Sequence, residues 1–207
     1  MAITIQTFSS GPIGTNTYLV LDGQGHALIV DASHDVTEPI LEAANQAGAE
    51  IDAVIITHPH WDHIGDAAAL KTATGAPLIA HPGAVQKLEQ PGTSLAMDIP
   101  PMAPSTPDRF LDEGDTYTLG QETFQVWHLP GHEPSHIILY HPGQGIVLGG
   151  DVLFPNGHGR VDIPGADARV MQQSLARLAA LPDAVTVYPG HGDPTTIGAE
   201  RGWLPRV

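Results

Sequence analysis

The sequence predicts an α+β fold in which two sheets pack face to face and helices cover their outer sides. Three observations lead there: strand signals dominate both ends of the 207-residue chain, helical periodicity falls between and after them, and several strand-like runs end in a candidate metal ligand. Residues 3–8, 17–22 and 26–31 alternate or run apolar between Gly and Asp, as a hairpin meander does. Residues 38–47 read as a helix, with Ile40, Leu41 and Ala44 on one face and Gly48 as its stop. A strand at 53–57, a helix at about 64–73, a strand at 77–80 and a short helix at about 82–89 complete the first half. Strands follow at 116–119, 123–129, 136–140 and 145–149. A helix at about 167–180 then carries Val170, Leu175, Leu178 and Leu181 at helical spacing, before a strand at 184–188.

One stretch departs from this regularity. Residues 90–108 hold Pro91, Pro100, Pro101, Pro104 and Pro107, which removes backbone donors and excludes helix or central strand. Long loops are usually functional or disordered. Met97, Ile99 and Met102 among the prolines favour a covering loop over a linker.

Composition fits one domain over residues 1–207, with 42% apolar and 15% charged residues. The net charge is −15, and no Lys or Arg precedes Lys71. Such a surface repels phosphate backbones and draws in divalent cations, which disfavours a nucleic-acid partner and leaves a small-molecule substrate. Ordinary solubility explains most of the charge. The chain has no Cys, which excludes disulfides and thiolate ligands. Its start has neither a basic segment nor a long apolar one, and no stretch approaches the ~20 apolar residues needed to cross a bilayer. The expectation is a cytoplasmic protein without membrane contact. Nothing in the sequence sets its oligomeric state.

Residues 57–63 read Thr-His-Pro-His-Trp-Asp-His after the apolar run Ala53-Val54-Ile55-Ile56. His58 and His60 alternate by two, so a chain leaving a strand points both imidazoles to one side, while Asp62 and His63 lie where a helix would begin. A polar loop that happens to be His-rich is the bland alternative. Three His and one Asp within residues 58–63 make it the weaker one. Imidazole and carboxylate suit Zn²⁺, with Fe or Mn²⁺ also acceptable. Three later runs end similarly: 124–131 delivers His132, 145–150 delivers Asp151 and 184–190 delivers His191, each next to a Gly that permits a sharp turn. Any one of them is most simply a structural turn residue. Together they match the way sites are built at the C-terminal ends of strands.

These residues resemble the His-x-His-x-Asp-His signature of the metallo-β-lactamase fold superfamily, followed in order by an isolated His, Asp and His. Residues 11–20, 148–154, 159–162 and 187–201 are similar to the glyoxalase II-like hydrolases. The resemblance implies a four-layer αββα sandwich of two mixed sheets. It also implies two divalent ions, with His58, His60 and His132 holding the first, Asp62, His63 and His191 the second, and Asp151 bridging them. Asp62 and Asp151 are the catalytic candidates. Asp62 either binds the second ion or orients the water. The implied reaction is thioester cleavage, as of S-lactoylglutathione, by a hydroxide between the metals; metal binding lowers water's pKa from 15.7 toward about 7. A thiolate leaves readily, its parent thiol having a pKa of ~8.5, so no dedicated general acid is needed.

Some positions depart from that pattern. Ser33 stands where the family has Gly after Asp31, which leaves the turn open, although Asp31 remains the expected partner of a ligand His. Residues 192–207 include only Arg201 and Arg206 as basic groups, so the glutathione-binding helical domain of long glyoxalase II enzymes is not carried over. Asp151 replaces the Cys of the cysteine-bearing metallo-β-lactamases. Trp61 replaces the usual Ala of the mononuclear iron persulfide dioxygenases. Lactonases of this fold remain an alternative; a non-catalytic metal binder would need a coordinatively closed site. Arg160 and Asp162 are expected as an internal ion pair or, less simply, a substrate contact. His26, His34, His81, His128, His136, His141 and His158 are expected as surface or satisfied structural groups, with His158 the best placed to face a pocket.

Overall fold

The computed structural model describes residues 2–92 and 99–206. The first sheet holds β1 (Thr4–Ser10), β2 (Thr15–Leu21), β3 (His26–Val30), β4 (Glu50–Ile55), β5 (Leu78–Ala80) and β6 (Arg109–Phe110), in that spatial order. The second holds β7 (Thr116–Leu119), β8 (Glu122–His128), β9 (Ile137–His141), β10 (Ile146–Gly150), β11 (Thr186–Pro189) and β12 (Thr195–Thr196), running β12-β11-β10-β9-β8-β7. Both are mixed. β3 to β6 are parallel, as are β10 and β11, and the remaining pairs are antiparallel.

Alternation along the strands builds the layers. Val20, Leu28 and Ile55 point between the sheets and meet Phe124, Val126 and Leu139. Their neighbours Leu19, Ile29 and Val54 point outward beneath α1 (Thr37–Gln46), α2 (Ala67–Thr74) and α3 (Val85–Glu89), with Ile40, Leu70 and Leu88 closing that layer. On the far side Ile138, Val147 and Val187 pack under α4 (Ala168–Ala179) and α5 (Ile197–Glu200) through Met171, Leu175, Leu178 and Ile197. This is the expected αββα sandwich. Truncating a fully buried side chain such as Leu70 to Ala would cost about 2–5 kcal/mol.

Most expected elements form within a few residues of their expected bounds, and the differences have local causes. α2 starts at Ala67 rather than 64 because Asp66 turns its carboxylate back to α1, accepting from Val36 N, Thr37 N and Thr37 Oγ1 at 3.0, 3.0 and 2.8 Å. The loop before it is tied to the sheet through Ala32 N to His63 O at 2.9 Å and Asp66 N to Ala32 O at 3.0 Å. Val170 is only half-buried, and Met171 takes its place on the buried face of α4. β6, β12 and α5 have two to four residues each, too short for a periodicity to show. Among the described residues no helix is long and apolar enough to cross a membrane.

Of the proline-rich stretch, residues 90–92 and 99–108 are described, and 93–98 lie outside the described residues. The described part has no helix or strand. It is pinned by Ser105 N to Leu88 O at 2.9 Å, Asp108 N to Leu78 O at 2.7 Å and Lys71 Nζ to Thr106 O at 2.7 Å. Met102 packs against the helix-side core.

Candidate metal centre

All seven expected ligands converge where the two sheets meet at the C-terminal ends of β4, β10 and β11. β3 ends at Asp31, held in the left-handed region at φ 64°. Its carboxylate accepts from Thr57 N at 2.7 Å and from Thr57 Oγ1, which fixes the start of the His-rich loop, and takes the ring proton of His63 Nδ1 at 2.8 Å. That proton aims His63 Nε2 into the site. Ser33 needs no left-handed backbone. Its hydroxyl lies 2.6 Å from Ser10 Oγ and 2.8 Å from Thr17 Oγ1, a buried cluster that Gly could not make.

β10 delivers Asp151 after Gly150, whose φ of 46° suits glycine and where a Cβ would lie 2.6 Å from His136 Nε2. The Asp151 N–H donates to that same nitrogen at 2.9 Å. β11 delivers His191 after Gly190, whose N–H donates to Gly150 O at 2.7 Å. The β2 end seals the junction: Asn16 N donates to Gly190 O at 2.7 Å, Asn16 Nδ2 to Pro189 O and Gly192 O, and Thr15 Oγ1 to Asp62 Oδ2 at 2.8 Å. His132 is turned by its Nδ1 donating to Arg160 O at 2.8 Å.

The ligand atoms form three groups within metal-binding reach: His58, His60 and His132; Asp62, His63 and His191; and Asp151 with His58 and His63. Asp151 touches both sets, with Oδ1 3.3 Å from His63 Nε2 and Oδ2 3.4 Å from His132 Nε2 and 3.6 Å from His191 Nε2. Asp62 Oδ2 lies 3.3 Å from His63 Nε2 and 3.2 Å from His191 Nε2. Ligands about 2.1 Å from a shared tetrahedral ion stand about 3.4 Å apart, so these spacings fit. Further support comes from the buried Nε2 atoms of His58, His63 and His132 and from Asp151 Oδ1, which have no hydrogen-bond partner. Such atoms are costly to bury unless something binds them.

Charge separates the two sets. Burial holds His58 well below the usual imidazole range, pushes His60 down to about 3 and lowers His132, so this trio presents neutral rings. Burial opposes the charges of Asp62 and Asp151, yet His63 and its neighbours override it, lowering Asp62 and bringing Asp151 to about 2. Burial likewise works against a proton on His63, but Asp62, Asp31 and Asp151 raise its pKa well above normal. Ionised carboxylates and deprotonatable imidazoles are the donor set that divalent ions take.

Above the ligands is a cavity of about 730 Å³ with Ile13, Trp61, Phe154, Ile163 and Pro164 on its walls. His158 and Arg160 also line it, as expected for His158. Arg160 does pair with Asp162, at 2.9 and 3.0 Å, but both side chains are about 70% exposed, so the pair is external rather than internal. The sequence assigns no role to Thr15 or Thr57, and His136, expected as a surface or satisfied structural group, is fully buried with its Nδ1 unpartnered and its Nε2 accepting from Asp151 N. A signal existed in Thr15-Asn16-Thr17, polar residues in a strand that is buried throughout. His136 stacks on His58 at 4.6 Å. His34 is buried against Gly65 and Trp61 with its Nε2 unpartnered, so it is not the satisfied group expected. A further group, His81, Asp112 and His128, lies elsewhere. There His81 Nδ1 accepts from Gly83 N at 3.0 Å and His128 Nε2 donates to Pro134 O at 2.7 Å, which gives both rings structural work.

The model of the metallo-beta-lactamase superfamily matches residues 10–191. The chain belongs to this superfamily. Hydroxyacylglutathione hydrolase GloC of Haemophilus influenzae is 31% identical over 190 residues, covering 90% of this chain and 89% of that protein. Among solved structures, the BLEG-1 B3 metallo-beta-lactamase superposes with a TM-score of 0.90 at 31% identity, covering 98% of both chains. TTHA1623, in a di-iron-bound form, gives 0.77 at 35% identity, covering 97% of this chain and 98% of that one. Membership of the metallo-β-lactamase superfamily together with the His/Asp cluster makes the chain a metallo-hydrolase.

Proposed function

We propose that the protein hydrolyses the thioester of an S-acyl small thiol, S-lactoylglutathione being the reference substrate, and that it holds two divalent ions to do so. His58, His60 and His132 would hold one ion, Asp62, His63 and His191 the other, with Asp151 shared. Bound there, such ions supply an activated water at neutral pH and polarise the scissile carbonyl. The protein's own groups keep this chemistry aligned. Asp31 orients His63, Arg160 O orients His132, Thr15 holds the Asp62 carboxylate, and His136 fixes the backbone of Asp151. Trp61, Phe154 and Ile163 give the acyl group an apolar wall that excludes water.

The observation that carries the reading is the Asp151 carboxylate, within 3.3–3.6 Å of His63, His132 and His191. A single carboxylate reaching both trios suits a dinuclear site better than a mononuclear one. The likeness to a hydroxyacylglutathione hydrolase over most of both chains, and to a di-iron-bound structure, supports the same choice. Metal content per chain, measured beside turnover of S-lactoylglutathione, a lactone and glutathione persulfide, tests it. Two metals and thioester turnover are expected. One iron with persulfide oxidation would establish the dioxygenase alternative, and lactone turnover alone the lactonase. The superposition on a structure described as a B3 metallo-β-lactamase favours one second reading, a β-lactam amide, checked with a chromogenic cephalosporin in the same assay.

A further inference from the structure

Beside the metal-facing cavity lies a second, of about 540 Å³. His60, Trp61, Lys87 and Pro164 line both, so the two are separated only by a shared ridge. Past the ridge the lining includes the apolar residues Trp61, Ile64 and Met102 and the amide-bearing residues Gln86 and Gln90. A substrate whose reacting carbonyl sits over the ligands has two arms, and the ridge offers the second arm its own space.

Lys87 is the group on that ridge with charge to offer. Its Nζ lies 2.9 Å from Glu133 Oε1, and its side chain is 45% exposed. The bland reading is that Lys87 merely neutralises buried Glu133. That accounts for one of the three N–H donors of an ammonium. Glu133 is served besides by Ser135, whose N and Oγ donate to Oε2 at 2.5 and 2.6 Å. Lys87 and Arg160 are the Lys and Arg side chains among the described lining residues of the two cavities; Arg160 lines the metal-facing cavity alone, whereas Lys87 lines both.

We propose that the second cavity is the subsite for the thiol arm of the substrate, a peptide-like arm ending in a single carboxylate, and that Lys87 is the residue recognising this carboxylate. The proposal rests on the thioesterase reading for the word substrate and on the cavities for everything else. Amide side chains beside a flat aromatic ring suit peptide groups, which need both hydrogen bonds and apolar contact. The volume suits a drug-sized arm. One ammonium matches one carboxylate; an arm bearing several phosphates would call for a cluster of Arg and Lys, and a chain of net charge −15 repels it.

The test is binding of non-hydrolysable thioethers to the metal-loaded protein by calorimetry: an S-alkyl cysteinyl tripeptide with a free C-terminal carboxylate, its C-terminal carboxamide, and an S-alkyl phosphopantetheine. Wild type should bind the carboxylate about tenfold tighter than the carboxamide. Lys87→Met should abolish the difference, and Lys87→Arg should keep it. Because Lys87→Met leaves Glu133 uncompensated, the double variant Lys87→Met/Glu133→Gln repeats the measurement without a stranded buried charge, and it too should fail to discriminate. Discrimination that is absent in wild type, or that survives in either Lys87→Met background, overturns the proposal, as does tighter binding of the phosphopantetheine. Hydrolysis of the S-acyl tripeptide is followed separately. Discrimination without hydrolysis would keep the subsite and sink the thioesterase reading, and hydrolysis without discrimination would do the reverse.

Discussion

Asp31 accepts the Nδ1 proton of His63 at 2.8 Å, and this one contact sets the direction of the Nε2 that faces Asp62 and Asp151. Asp31 sits at φ 64°, a conformation that Asn also tolerates. Asp31→Asn therefore removes the negative charge with little backbone strain. Partners of this kind usually cost 10–100-fold in metal affinity when lost. Titration of the metal-free variant should show the second ion weakened by about that factor, with the first less affected. Equal weakening of both would mean that Asp31 acts on the fold and not through His63.

Asp151 should be less replaceable than any single His, because its two oxygens face both sets of ligands. Asp151→Asn keeps the shape and takes away a charge that helps hold two cations near each other. Thioester turnover should fall by at least ~10²-fold, the usual effect of removing one electrostatic group. Near-wild-type turnover in the metal-replete variant would remove the shared-carboxylate role.

The sheets and the His/Asp cluster are legible in the sequence because each rests on a local pattern. An apolar run marked β3 and alternation marked β8, and the heptad at 57–63 put four candidate ligands in view at once. What supports those ligands was not legible, because it depends on register between distant segments. Thr15 meets Asp62 only because the β2 end bridges to His191, and His136 meets Asp151 only because β9 and β10 pair antiparallel. A lone His or Thr carries no sign of such a partner. The delayed start of α2 has the same origin: Asp66 stands at the N-cap position of α2, but its carboxylate serves the start of α1.

Stoichiometry follows from the grouping of ligands. The purified protein, supplied with metal, should bind two ions per chain by elemental analysis. His58→Ala should lose mainly the ion of the all-imidazole set, and His191→Ala mainly the ion beside Asp62. Saturation of the wild type at one ion, with titration unchanged by His191→Ala, would leave only the mononuclear readings.

Gly190 is the position where the smallest substitution should do the most. A Cβ there would collide with Asp151 Oδ1 and lie 2.7 Å from His63 Cε1, so it would crowd the shared carboxylate and a ligand of the second set. The neighbours have little room to yield, since Gly190 N donates to Gly150 O and Gly190 O accepts from Asn16 N, both at 2.7 Å. Gly190→Ala should thus push the Asp151 carboxylate out of line while leaving the sandwich folded. Overpacking of this kind costs about 1–3 kcal/mol. The expected result is a lowered Tm, a metal content below two per chain and turnover reduced more than the loss of metal alone explains. A variant with full metal content and unchanged kcat would show that the site relaxes around the methyl, and that Asp151 is not held where its distances to His63, His132 and His191 put it.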